Sequence, residues 1–194
     1  MDSASGTRFG SAAETYHRLR PTPPPATVDW LLGATEVRTA VEFGAGTGLF
    51  TAPLAKRVRT VYAVEPDPLM RAQLTAHCPG VTVLDGTAEH LPLGDGTVEA
   101  VVSHSAWYWV DPDVAFPEIA RVLVPGGLLG VSWSMPDRRV GWRAKLDEIT
   151  GRTGPVDRGP GRFDVPSWAA FAPPEQFSYS WTMRMTTDDL VASL

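Results

Sequence analysis

Short apolar runs alternate with amphipathic stretches along most of this chain. Strand-like apolar runs cover residues 39–43, 60–64, 81–84, 98–103 and 128–133. Between them, apolar side chains recur at helical spacing and predict helices over residues 49–58, 67–78 and 113–123. Because successive parallel strands need long crossover connections, this alternation predicts an α/β fold with a doubly wound, mostly parallel sheet.

The pattern changes at both ends of the chain, which we divide into segments 1–38, 39–135 and 136–194. The first segment is typical of two short helices separated by prolines. The last segment predicts, in order, a helix over 140–150, a loop over 151–174, a sixth strand over 177–185 and a helix starting at Thr187 or Asp188.

Composition narrows the class of protein. The 194 residues are 43% hydrophobic and 20% charged, as in globular domains, and the net charge of −5 argues against a nucleic-acid partner. One cysteine, Cys78, excludes an internal disulfide and fits a cytoplasmic location. Neither a signal peptide nor a membrane-spanning apolar run of about 20 residues is present in the sequence. No cluster of acidic, His or Cys residues has metal-ligand spacing, so we expect no catalytic metal.

A glycine-rich turn and an acidic residue suggest a nucleoside site. Gly44, Gly46 and Gly48 follow the first predicted strand, and Glu65 ends the second. A carboxylate in that place can accept hydrogen bonds from both hydroxyls of a ribose. Leu49 replaces the last glycine of the dinucleotide fingerprint, so a pyrophosphate is not indicated. The plainer alternative is a glycine turn beside a solvated acid.

Four motifs in order resemble the class I S-adenosylmethionine-dependent methyltransferases. They are residues 41–48 (VEFGAGTG), 63–67 (AVEPD), 84–93 (LDGTAEHLPL) and 119–128 (IARVLVPGGL). The segments 16–21 (YHRLRP) and 107–111 (WYWVD) resemble a subgroup that includes trans-aconitate-type and natural-product methyltransferases. The resemblance implies a Rossmann-like methyltransferase fold, in which segment 1–38 is a helical lid, 39–135 the cofactor-binding core and 136–194 the substrate side. The sheet of this family normally has seven strands, and the sequence predicts no seventh. We therefore expect a sheet that lacks its last strand and a C-terminus that is incomplete or completed by another chain.

The resemblance also implies the cofactor, S-adenosyl-L-methionine, and its product, S-adenosyl-L-homocysteine. Gly44, Ala45 and Gly46 would lie under the methionine part of the cofactor, Glu42 would support that turn, and Glu65 would bind the ribose hydroxyls. The remaining implied contacts are those of Pro66 and Met70 with adenine, Thr87 and Ala88 with its edge, Ser103 near the methyl group, and Tyr16 and Arg20 from the N-terminal segment. The family often has aspartate where Thr87 stands, and Met70 is equally typical of a core residue.

These implications lead to an expected reaction. We expect methyl transfer to a small-molecule acceptor, aromatic or carboxylate, at oxygen. Because the sulfonium is already activated, a catalytic base is needed only for a weakly acidic hydroxyl, and the candidates are His104, Tyr108 and Tyr16. No nucleic-acid or membrane partner is expected, and a homo-oligomer is compatible with the sequence.

Two alternatives belong to other classes of function. One is a nicotinamide-dependent oxidoreductase, against which Leu49 and the segment 84–93 both count. The other is a non-catalytic module that binds S-adenosylmethionine or serves assembly while retaining the fold. Cofactor titration would separate the first alternative from a methyltransferase, and only turnover would separate the second.

Overall fold

The computed structural model of the chain describes residues 13–137, 139–151 and 163–193. Its helices are α1 Ala13–Leu19, α2 Pro25–Leu32, α3 Thr51–Arg57, α4 Pro68–His77, α5 Pro112–Val122, α6 Gly141–Ile149 and α7 Thr187–Ala192. Its strands are β1 Thr39–Phe43, β2 Thr60–Val64, β3 Thr82–Leu84, β4 Val98–His104 and β5 Leu123–Ser132. A single 3₁₀ turn, Trp107–Trp109, follows β4.

The five strands form one parallel sheet in the order β3-β2-β1-β4-β5. The chain moves outward in one direction from β1 to β3 and then crosses to β4 on the other side of β1. This order confirms the predicted doubly wound α/β fold. The topological switch point lies where the carboxyl ends of β1 and β4 meet, which is where open α/β sheets bind their ligands.

The core explains why β1 and β4 occupy the centre of the sheet. Both strands are largely buried on both faces, as central strands of a parallel sheet must be. One cluster of buried side chains comprises Val28, Leu32, Val37, Ala40, Phe50, Leu54, Val58, Val61, Ala100 and Val102. Burial of these apolar side chains stabilises β1 and β4, and the carboxyl ends of both strands carry the candidate site.

The ends of two helices show how local sequence sets their boundaries. Pro25 begins α2, where its missing N–H costs nothing, and Gly33 ends it with a φ of +59°. Asp67 caps α4: its Oδ1 accepts hydrogen bonds from the backbone N–H groups of Leu69 (2.8 Å) and Met70 (3.2 Å). As a result, β2 turns sharply into α4 and leaves Glu65 at the carboxyl edge of the sheet.

The chain forms two compact units, residues 1–132 and 133–194. In the second unit, residues 177–185 adopt no regular secondary structure, in contrast to the predicted sixth strand. Apolar alternation marks side chains that can share a face, but a strand also needs a hydrogen-bonded neighbour, and this segment has none among the described residues. Within the predicted loop 151–174, residues 152–162 lie outside the described part of the chain.

Candidate active site

The turn between β1 and α3 depends on three glycines with positive φ: Gly44 (+63°), Gly46 (+57°) and Gly48 (+92°). A Cβ added to Gly44 would collide with the side chain of Ala106, so this glycine lets the loop after β4 approach the turn. A Cβ added to Gly48 would lie 2.7 Å from Cys78 Sγ, so that glycine lets the turn pack closely against the end of α4. At Gly46 the added atom would meet no described atom within 4 Å and would point into open space.

Glu65 joins this turn to the end of β2. Its Oε2 accepts a hydrogen bond from the Gly46 N–H (2.8 Å), and its Oε1 accepts one from the Asp67 N–H (3.0 Å). The residue is only 6% exposed, and burial raises the pKa of its carboxyl while the two N–H donors lower it. Each carboxylate oxygen has a second lone pair. The group can therefore accept two further hydrogen bonds from vicinal hydroxyls, which fits a ribose.

Arg71 of α4 fixes the backbone around Glu65. Its Nη1 donates to the carbonyl oxygens of Glu65 and Pro66, both at 2.7 Å, and lies 2.9 Å from Asp85 Oδ1. One guanidinium thus ties the ends of β2 and β3 together. The carboxylate of Glu65 is held in place from both its backbone and its side chain.

Glu42 is a buried residue of β1, the strand that neighbours β2 and therefore Glu65. Its Oε2 accepts a hydrogen bond from the Thr51 hydroxyl (2.7 Å), which ties β1 to the first turn of α3. Burial raises the pKa of Glu42 to about 8, with a smaller contribution from the charge of Glu65. Glu42 is therefore largely protonated at pH 7, and its support of the cofactor turn stays a prediction.

The residues predicted to contact adenine fall into two groups. Met70 and Ala88 are buried, at 4% and 3% exposure, whereas Pro66 is half-buried and Thr87 is exposed. The Thr87 N–H and carbonyl both pair with the backbone of His90, which makes a tight turn. These four residues surround the same edge of the sheet as Glu65, and their contacts with adenine stay predictions.

The segment after β4 mixes core and exposed aromatic side chains. Ser103 is fully buried and donates its hydroxyl to the Phe43 carbonyl (3.1 Å), so that hydroxyl is used inside the sheet. Trp107 packs against Phe43 and Phe116, with ring centroids 6.0 and 5.3 Å apart. Tyr108 and Trp109 are 48% and 54% exposed. Trp107 is therefore half-buried against two core rings, whereas Tyr108 and Trp109 lie at the surface.

His104 is the last residue of β4 and lies at the switch point. Its Nδ1 is 2.9 Å from Ser132 Oγ, and its ring stacks on Phe50 with centroids 5.4 Å apart. Burial, and then the positive charge of Arg20, lower the pKa of His104 to about 4. The imidazole is therefore neutral at physiological pH.

The N-terminal helix brings further residues to this edge. The Arg20 guanidinium lies 5.2 Å from the centre of the Tyr16 ring. His17 lies between these two residues in the sequence. It contacts the glycine turn, since its Nδ1 is 2.9 Å from Thr47 Oγ1. Sequence reasoning missed this contact. The signal available was the position of His17 inside the segment 16–21, which the resemblance already placed over the cofactor.

Comparisons with known proteins agree with this geometry. Residues 41–131 match a family model described as a methyltransferase domain. The chain is 45% identical over 188 residues to an uncharacterized methyltransferase of Mycobacterium tuberculosis, covering 95% of this chain and 75% of that protein. It is 31% identical over 153 residues to a malonyl-(acyl-carrier protein) O-methyltransferase of Methylococcus capsulatus, covering 72% of this chain and 56% of that protein. A solved SAM-dependent methyltransferase of Thermotoga maritima superimposes with a TM-score of 0.54 at 33% identity, covering 74% of this chain and 67% of that one.

The chain belongs to the class I S-adenosylmethionine-dependent methyltransferases, and it is an enzyme with S-adenosylmethionine as its methyl donor. This membership disfavours the nicotinamide-dependent alternative. Among the described residues, no helix is long and apolar enough to cross a membrane. The same residues contain no group of three or more His, Cys, Asp or Glu side chains arranged to hold a metal ion.

The substitution Glu65→Gln tests the carboxylate. An amide nitrogen cannot accept a hydrogen bond, so the variant loses one of its two backbone bonds and one ribose acceptor. We expect the Kd for S-adenosylhomocysteine, measured by calorimetry, to rise at least about tenfold. Glu36→Gln, at an exposed carboxylate paired with Arg38, is the matched control and should leave the Kd unchanged. Equal Kd values for Glu65→Gln and the parent would contradict the assignment.

Three glycine substitutions separate backbone strain from ligand contact. Gly33, Gly44 and Gly46 all have positive φ values, so an alanine at each adds backbone strain on the order of 1–3 kcal/mol. Gly44→Ala also collides with Ala106 and should destabilise the fold further. Gly46→Ala and Gly33→Ala should both unfold at lower urea concentrations than the parent, and of these two variants only Gly46→Ala should lose affinity for S-adenosylhomocysteine. Normal binding by Gly46→Ala would show that the turn merely reverses the chain.

Proposed function

We propose that the enzyme methylates an oxygen atom of a small-molecule acceptor, and that His104 accepts the acceptor's proton. The observation that carries this proposal is the hydrogen-bond chain at the end of β4. The O-methyltransferase of Methylococcus capsulatus among the relatives supports oxygen as the target. The acidic net charge of −5 supports a small molecule over a nucleic acid.

The cofactor contacts belong to the same proposal. Glu65 binds the ribose hydroxyls, because its two oxygens retain lone pairs at the carboxyl edge of β2. The methionine part lies over Gly44, Ala45 and Gly46, where the missing Cβ of Gly46 leaves open space. When bound there, S-adenosylmethionine supplies an activated methyl group. The protein's own task is to position the acceptor and to exclude water.

We assign the tautomer of His104 from its hydrogen-bond partners. In the proposed arrangement, the Ser132 hydroxyl donates its one hydrogen to the Ser103 carbonyl oxygen (3.4 Å). Ser132 Oγ then accepts from His104 Nδ1, which carries the proton. Nε2 is left with its lone pair, and none of the described residues forms a hydrogen bond to it. A neutral imidazole with a fixed acceptor nitrogen at the switch point is suited to orient an acceptor's O–H group.

The low basicity of His104 is compatible with this role. A hydroxyl oxygen becomes positively charged as its bond to the methyl carbon forms, so its proton becomes strongly acidic. Even a weakly basic imidazole can then take that proton, and the electron pair of the broken S–C bond stays on sulfur. Because the pKa of His104 is about 4, the nitrogen remains available throughout the neutral range.

The aromatic side chains after β4 favour an aromatic or otherwise flat acceptor. Tyr108 and Trp109 are about half exposed and lie five residues or fewer beyond His104. Exposed aromatic rings beside a catalytic edge are common in small-ligand sites. Tyr16 and Arg20 remain proposed cofactor contacts, and Arg20, whose charge acts on both His104 and Tyr108, gives a carboxylate of the cofactor or of the acceptor a positively charged partner.

A matched pair of substitutions tests the role of His104. Asn at position 104 can replace Nδ1 in its bond to Ser132 but has no atom in place of Nε2. With labelled S-adenosylmethionine and a panel of aromatic hydroxyl compounds, we expect His104→Asn to lower kcat by about 100-fold. The Kd for S-adenosylhomocysteine should stay within about twofold of the parent value. As the pH is lowered, protonation of His104 should reduce the parent's kcat only near pH 4.

The control for this experiment is His90→Asn, at an exposed histidine on the adenine side of the sheet. It should retain the parent's kcat. Equal kcat values for His104→Asn and the parent would overturn the proton-acceptor role. Cofactor binding without methyl transfer to any acceptor in the panel would instead contradict the proposed class of acceptor.

A further inference from the structure

We infer that His17 is a positioning residue that holds helix α1 on the glycine turn through its contacts with Thr47 and His77, which we call the latch, and that proton uptake by His17 releases this latch. The inference rests on the placement of the cofactor at the turn proposed above. It concerns the regulation of that site by pH.

Two contacts of His17 form the latch. Its Nδ1 lies 2.9 Å from Thr47 Oγ1, and Thr47 is 1% exposed between Gly46 and Gly48. Its ring also stacks on His77 at the end of α4, with centroids 3.6 Å apart and planes 10° from parallel. One side chain of α1 therefore touches both the cofactor turn and the helix that follows Glu65.

The latch holds the residues that reach over the site. Tyr16 precedes His17, and Arg20 follows it by three positions, so His17 fixes the rotation of the helix that presents both side chains. Prolines at positions 21, 23, 24 and 25 connect α1 to α2 with a stiff link. Release of His17 would therefore move Tyr16 and Arg20 together, away from the cofactor.

Two neutral imidazoles stack without penalty, but two imidazolium rings at 3.6 Å repel each other. Burial, and then the charge of His77, lower the pKa of His17, and the contact with Thr47 partly offsets this. His77 is exposed, so protons reach the pair directly from solvent.

The charged groups around the pair are few. On α1 they are the exposed Glu14, Arg18 and Arg20, and on α4 they are Arg71 and His77. The guanidinium of Arg71 is engaged with Glu65, Pro66 and Asp85. Of these groups, His77 is the one whose charge acts on His17.

The sign of the pH effect follows from linkage. The docked state depresses the pKa of His17, so the released state binds more protons. Docking of α1 is therefore complete above the ordinary histidine pKa of about 6.5 and weakens as the pH falls below it. Cofactor affinity should weaken over the same range, because Tyr16 and Arg20 leave with the helix.

The test measures two quantities at about pH 8 and about pH 5.5, which bracket the titration of an ordinary histidine. The first is hydrogen exchange of residues 13–19 in the cofactor-free protein, corrected for intrinsic exchange rates. The second is the Kd for S-adenosylhomocysteine. In the parent, protection of α1 should fall at the lower pH, and the Kd should rise by about threefold or more.

Substitutions isolate the histidine pair from other titrating groups. His17→Asn retains an amide near Thr47 but cannot titrate, so its Kd should change less with pH than the parent's. His77→Phe keeps a flat ring for stacking without charge, and it should shift the release of α1 to lower pH. His90→Asn, outside the pair, should show the parent's pH dependence. We expect Glu42 and Glu65 to contribute equally to the pH dependence of the Kd in all variants, so differences between variants report on the histidines.

Equal protection of α1 at both pH values in the parent, or the same pH dependence in His17→Asn, would overturn the latch. Failure of S-adenosylhomocysteine to bind at either pH, with α1 protection still changing, would overturn the proposed cofactor placement and leave the latch standing. The two failures are therefore distinguishable.

Discussion

The carboxylate of Glu65 connects the two loops on which the site depends. It receives the N–H of Gly46 from the turn after β1 and the N–H of Asp67 from the start of α4. A buried carboxylate is costly unless it is hydrogen-bonded, and these two donors, with Arg71 binding the backbone behind it, stabilise the ionised form. Each oxygen retains a second lone pair that can accept a further hydrogen bond. Structural support and ribose recognition thus come from one side chain.

Much of this arrangement could be predicted from sequence because it depends on local signals. The β1 and β2 strands are short apolar runs, Asp67 is a helix cap followed by proline, and the glycines occupy positions with positive φ. The parallel, doubly wound character of the sheet followed from the alternation of strands and helices. Within this frame, the placement of Glu65 beside the glycine turn required only that neighbouring parallel strands end at the same edge.

The rest depends on contacts between distant residues, which local patterns do not encode. The bond of His17 to Thr47 joins positions 30 apart, and the hydrogen-bond chain from His104 depends on Ser132 in another strand. Gly44 and Gly46 looked equivalent in sequence, yet one faces Ala106 and the other faces open space. Residues 177–185 show the converse error, since their apolar alternation suggested a strand for which the described chain supplies no neighbour.

A crystal structure of the protein with S-adenosylhomocysteine would test the central claim most directly. The account predicts that both ribose hydroxyls lie within hydrogen-bond distance of the Glu65 carboxylate oxygens. It also predicts that the homocysteine chain crosses the turn over Gly46, with the sulfur on the His104 side of the switch point. A nucleoside bound elsewhere, or one whose ribose does not contact Glu65, would contradict it.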